Sequence, residues 1–193
     1  MWVKVCGMTS SAAIATAIDA GVNAVGFVFA PSKRQVTATQ ALQLASAVPP
    51  HIARIAVMQQ PTQRLVDEVL TVFKPDVLQT DWQDVAGLKL PVELTVLPVL
   101  RAGRAVPDVL PRRFLFEGPV SGTGETADWS RAAELAKHGE LILAGGLNAA
   151  NVVTAIQVVR PFGVDVSSAV ESAPGVKDAQ KIIEFVRVVR RSE

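Results

Sequence analysis

Residues 141–168 read LILAGGLNAANVVTAIQVVRPFGVDVSS. Two short apolar runs, 141–144 and 163–166, flank an amphipathic stretch at 149–159. The runs are near-continuous Leu, Ile and Val rather than alternating with polar residues. That pattern belongs to strands covered on both faces, as in a parallel sheet. Parallel neighbours need a crossover, and a helix over 149–159 supplies it. Asn148 stands where a helix cap is expected. The stretch is therefore read as one strand–helix–strand unit.

The same alternation runs through the chain. Strands are expected at 2–6, 24–29, 52–58, 77–79, 94–99, 113–117, 141–144 and 163–166. Helices are expected at 10–20, 37–48, 62–73, 82–88, 105–110, 128–138, 149–159 and 177–190. Eight such units close naturally into a barrel, whereas an open doubly wound sheet usually has fewer strands. The expected fold is α/β, a single (β/α)8 TIM-barrel domain over residues 1–193. Units of about 24 residues, against about 31 in a typical barrel, imply short loops and no inserted domain. Thr9 or Ser10 is placed to cap the first helix and Asp128 the sixth, with Gly21 and Gly139 as the corresponding C-terminal stops.

Composition narrows the class. Apolar residues are 49% of the chain, enough for a sizeable core. Nineteen basic side chains against eighteen acidic ones leave a net charge of +1, which argues against a nucleic-acid or membrane-surface partner. The basic cluster 187–191 reads as a solvated helix end. A single cysteine forms no internal disulfide, and no apolar run has the ~18 residues of a membrane span. The N-terminus lacks the charged-then-apolar layout of a signal peptide. The expectation is a cytoplasmic protein, monomer or homodimer.

In this fold the active site lies at the C-terminal ends of the strands. That rule selects Cys6, Arg34, Asp81, Glu117, Gly145, Gly146, Asp165, Ser167 and Ser168. Loops after strands 7 and 8 commonly bind phosphate in such barrels. The bare amides of Gly145 and Gly146 beside those of Ser167 and Ser168 suit an anion. Two ordinary turns would read the same way, but the pairing favours phosphate. Cys6, the sole cysteine, sits at a strand exit rather than inside the run. With Glu117 it would make a general base and a general acid across one pocket, and the first helix would favour the thiolate. From spacing alone, a buried small hydrophobe and a solvated loop charge describe Cys6 and Glu117 better.

VKVCGMT, AVGFVFAPSKRQV, SGTGETADW, LAGGLNAANV and VDVSSAVESAPGVKD together resemble phosphoribosylanthranilate isomerases of tryptophan biosynthesis. The motifs occur in the family's order and run from Val3 to Asp178. The resemblance implies an Amadori rearrangement of N-(5-phosphoribosyl)anthranilate on a small barrel, a phosphoribosyl small molecule as substrate, and no metal or organic cofactor. The sequence shows no ligand cluster for one. Matched residue by residue, Cys6 takes the position of the base. Arg34 takes that of the arginine facing the anthranilate, where a guanidinium suits a carboxylate. Gly146, Ser167 and Ser168 take the phosphate turns, and Asp165 a substrate-contacting or supporting position.

Three departures stand out. The family's strand-6 aspartate is Glu117 in FLFE, so the acid has a similar acidity on a longer stem. Asp128 is the fallback acid, better placed as a helix cap. A histidine typical after strand 4 is missing from Gln79-Thr80-Asp81-Trp82. Ala169 follows Ser167-Ser168 where the family has glycine, which is uncomfortable if that position needs a positive φ. A dual-substrate phosphoribosyl isomerase and a non-catalytic phosphoribosyl-binding barrel stay open at this stage; the short loops argue against the first and Cys6 against the second.

Overall fold

The computed structural model describes residues 1–119 and 128–192. Eight strands, β1 (Trp2–Cys6), β2 (Ala24–Val28), β3 (Ala53–Val57), β4 (Val77–Asp81), β5 (Thr95–Arg101), β6 (Arg113–Glu117), β7 (Glu140–Leu143) and β8 (Gly163–Val166), form a closed barrel in chain order. Every neighbouring pair is parallel, and β8 returns to β1 with Asp165 opposite Lys4. Around it lie α1 (Ser11–Asp19), α2 (Ala38–Leu44), α3 (Gln63–Val72), α4 (Trp82–Val85), α5 (Trp129–Ala136), α6 (Val152–Val159) and α7 (Ala179–Arg191). The expected (β/α)8 architecture is present.

Period-two alternation divides each strand between two cores. Val3, Val5, Phe27, Phe116, Leu143 and Val164 point outward and pack with the helices. Ala24, Ile55, Leu97, Val99, Leu115 and Ile142 point inward and fill the lumen. α7 shows why the helices stay: Ile182, Phe185, Val186 and Val189 make one buried stripe. Side-chain caps define the starts. Ser10 accepts from the Ala13 amide, Asp128 from Arg131 and Asp178 from Lys181, and Thr37 forms a capping box with Gln40.

Several expectations are corrected. No helix forms at 105–110; the segment is irregular, with a bend at 108–109. Pro107 lacks an amide proton, and prolines at 107 and 111 push Val106 and Leu110 away from helical angles. A six-residue helix has no reserve against that loss, yet both side chains still pack against the core. α4 is shorter than the expected 82–88. The cap of α6 is Asn151, not Asn148, whose carboxamide oxygen instead accepts from the Ala150 and Asn151 amides in the preceding turn. Gly139 has no positive φ; it lets the chain pass close to β6, where a Cβ would lie 2.8 Å from the Phe114 ring. Ala169 sits without positive φ in a 3-10 turn, Ser168–Val170. A hairpin of β9 (Glu171–Ala173) and β10 (Val176–Lys177) precedes α7 and was not expected. β4 and β5 each continue two residues past their apolar runs, to Asp81 and Arg101.

Candidate active site

Those two extra residues matter because they face the barrel mouth. A pocket of about 200 Å³ opens there. Cys6, Arg34, Glu117, Gly145, Gly146, Asp165, Ser167 and Ser168 all line it. The structure thus gathers every residue that the motif reading selected. Asp81 is buried against Arg101 and does not line the pocket, and Asp128 caps α5. The SGTGET stretch falls outside the described residues.

Cys6 ends β1 pointing inward, which answers why the thiol sits at a strand exit. It is 8% exposed, and its carbonyl accepts from the Ser167 hydroxyl. The thiolate expected from a helix terminus is not what this setting favours. α1 starts only at Ser11, and burial pushes the thiol up, with Lys4 and Lys177 pulling against it. Lys4, two residues earlier on the same face, is fully buried and donates to Asp165 Oδ2 at 2.9 Å. Burial works against its charge, but Asp165 and, after it, Cys6 together raise the ammonium. Asp165 is itself pushed up by burial, against the pull of Lys4; in this pair the short contact favours the ionised form of both.

Across the mouth, Arg101 Nη1 lies 2.8 Å from Glu117 Oε1. Arg101 also donates through Nε to both oxygens of Asp81 at 2.9 Å, and Arg104 lies 3.7 Å from the same carboxylate. Where the family motif has a histidine, this chain has an aspartate that holds a buried arginine against Glu117. Gln79, two residues before Asp81 on the inward face of β4, presents a buried Oε1 that meets no donor among the described residues.

Arg34 reaches the pocket from the loop after β2. Its Nε and Nη2 donate to Glu171 at 2.7 and 2.8 Å. The Nε–Nη2 edge of the guanidinium is thereby fixed at the pocket wall. Lys177 donates to the same carboxylate at 2.8 Å and to the Ser167 carbonyl at 2.9 Å. Burial alone would raise the Glu171 carboxyl, but Arg34, Lys177 and the Gly175 amide bring it down to about 2 from 4.5. A depressed carboxyl stabilises the fold above its unfolded value and loses that contribution as pH falls through its folded one. The clamp is therefore complete above about pH 4.5 and lost towards about pH 2. Glu171→Gln is expected to be less stable than the parent at neutral pH by ~1–3 kcal/mol. The gap should close across that acid window. Urea unfolding at pH 7, 4 and 2.5 measures it, and a gap independent of pH would refute the clamp.

After β7 the chain turns through Gly145 and Gly146, at φ +88° and +66°. Only glycine takes two such angles in succession without strain. Asn151 holds the turn by donating to the Gly146 carbonyl and accepting from the Asn148 amide. The Gly146 and Ser168 amides find no backbone acceptor among the described residues.

Lys4, Gln79, Arg101, Glu171 and Lys177 escaped sequence reasoning. The parity of β1 could have found Lys4, since it lies on the same face as Cys6. Arg101 was hidden because a charged residue appeared to end the apolar run. Glu171 and Lys177 lie within the quoted VDVSSAVESAPGVKD motif and flank Pro174-Gly175, a turn signal that could have found the hairpin.

Comparison with known proteins follows the same line. The N-(5'phosphoribosyl)anthranilate (PRA) isomerase family profile matches residues 3–188. An N-(5'-phosphoribosyl)anthranilate isomerase of Streptococcus pneumoniae (strain Taiwan19F-14) is 37% identical over 190 residues, 97% of this chain and 95% of that one. The phosphoribosyl anthranilate isomerase of Thermus thermophilus superposes with a TM-score of 0.86 at 26% identity, covering 100% of both chains. Another such isomerase, solved with reduced 1-(o-carboxyphenylamino)-1-deoxyribulose 5-phosphate, gives 0.79 at 29% identity, covering 99% of both. With the motifs, the closed barrel and these matches in agreement, the chain belongs to the phosphoribosylanthranilate isomerase family.

Proposed function

We propose that this barrel converts N-(5-phosphoribosyl)anthranilate to 1-(2-carboxyphenylamino)-1-deoxyribulose 5-phosphate in tryptophan biosynthesis, with Cys6 as base and Glu117 as acid. Glu117 gives its proton to the furanose ring oxygen. The C1–O bond breaks as the anilino nitrogen's lone pair forms a C=N bond. Cys6, as thiolate, removes the C2 proton, and those electrons form C1=C2 while neutralising the iminium. The enolamine tautomerises to the ketone. C2 is oxidised as C1 is reduced within one molecule and only protons pass to and from the protein, so the chemistry calls for no metal or organic cofactor. Arg101 stabilises the carboxylate that Glu117 becomes after donation.

The phosphate rests on the amides of the Gly145-Gly146 and Ser167-Ser168 turns. The anthranilate carboxylate meets the outer edge of Arg34, and Asp165 faces the sugar. The observation that carries this reading is the convergence of all eight residues on one pocket. All come from one chain, so a monomer or a homodimer provides the site, with residues 1–193 acting as one domain in the cytoplasm. No helix among the described residues is long and apolar enough to cross a membrane. Adding the protein to freshly made phosphoribosylanthranilate should abolish the substrate's fluorescence; a protein that binds the substrate without this loss would be a binding barrel only.

Arg34→Ala is expected to raise KM more than it lowers kcat. The substrate carboxylate is present in ground and transition states alike, so its partner contributes largely uniform binding. A collapse of kcat at unchanged KM would place Arg34 against the reacting sugar instead.

A further inference from the structure

Lys4 has no part in the steps above, yet a fully buried lysine in a barrel lumen is costly and asks for a reason. Its ammonium is held by Asp165, and its charge acts on Cys6, pulling the thiol against the upward push of burial. The two side chains are brought together by an absence on the next strand. Gly26 stands opposite Cys6 in β2. A Cβ there would lie 3.0 Å from Cys6 Sγ and 3.1 Å from Lys4 Cε. Thiol and lysine stem converge over that glycine.

The charges that act on Cys6 come from four places: Lys4 on its own strand, Asp165 from β8, Lys177 from β10 and Arg34 from the loop after β2. Glu171 joins Lys177 to Arg34. With Lys4, Lys177 and Arg34 against Asp165 and Glu171, the group carries one surplus positive charge. A thiolate at Cys6 closes the balance.

We propose that Lys4 is a positioning residue for the base, its ammonium acting as the fixed counter-ion of the Cys6 thiolate. The proposal rests on the reading of Cys6 as base. It explains how a thiol that burial pushes up can still ionise. Asp165 keeps the lysine charged and in place, and restrains how strongly it acts on the sulfur.

The sole cysteine makes the test direct. Thiolate ultraviolet absorbance and the pH dependence of iodoacetamide alkylation are followed on the full chain without substrate. Lys4→Met should move the thiol titration upward by about one pH unit or more, a tenfold smaller thiolate fraction at neutral pH. The rise of kcat with pH should move with it, KM changing little. Lys4→Arg should restore part of the shift. Asp165→Asn, which removes a negative neighbour, should move the titration downward, so opposite signs separate electrostatics from general loosening. It also serves alone if Lys4→Met fails to fold. A thiol that titrates unchanged in the folded variants overturns the proposal whatever turnover does, whereas an active Cys6→Ser protein overturns the base assignment itself.

Discussion

Cys6→Ser should fold as the parent does and lose about 10²-fold or more of kcat, the scale of a general base. Serine occupies nearly the same volume, and the Ser167 contact is to the backbone carbonyl of residue 6, which survives the change. What disappears is acidity: a hydroxyl supplies no anion near neutral pH. Because burial pushes the thiol up, the parent's activity should rise with pH as the thiolate forms. That alkaline rise should be absent in the variant. Progress curves from pH 6 to 9, with thermal melts as the folding control, measure both. Serine turning over at the parent's rate would remove Cys6 from the mechanism.

Glu117→Gln is expected to cost a similar 10²–10⁴-fold, because it removes the transferable proton while keeping the shape. The site makes this a demanding test. Arg101 bridges Glu117 and Asp81, so glutamine leaves Arg101 its Asp81 contacts and part of its hydrogen bonding. Stability should therefore fall little, and a melt near the parent's with activity lost would mark a chemical role. Glu117→Asp restores the residue usual in the family and should keep measurable turnover, at a cost set by its shorter reach to Arg101. Asp128→Asn should stay active, since the carboxylate caps α5 through the Arg131 amide and asparagine caps nearly as well. An active Glu117→Gln beside a dead Asp128→Asn would move the acid to Asp128.

The barrel was legible in the sequence because it is written in period and punctuation. Apolar runs of strand length alternate with helical patterns, and residues such as Ser10, Thr37 and Asp128 mark where helices begin. The same local logic failed at 105–110, where an apolar pattern suggested a helix that the prolines forbid, and at Asn148, which caps a turn rather than α6. Motifs picked out Cys6, Glu117 and the glycine turn at the ends of strands that the pattern already defined, and Arg34 in the loop after the second strand. Tertiary structure alone decided the company these residues keep. Lys4 meets Asp165 across 161 positions of chain and Arg34 meets Glu171 across 137. Asp81, Arg101 and Glu117 become neighbours only when β4, β5 and β6 lie side by side. Barrel closure brings distant charges into one lumen and removes them from water. Each then has to be balanced by another, and no local pattern in the chain encodes which one.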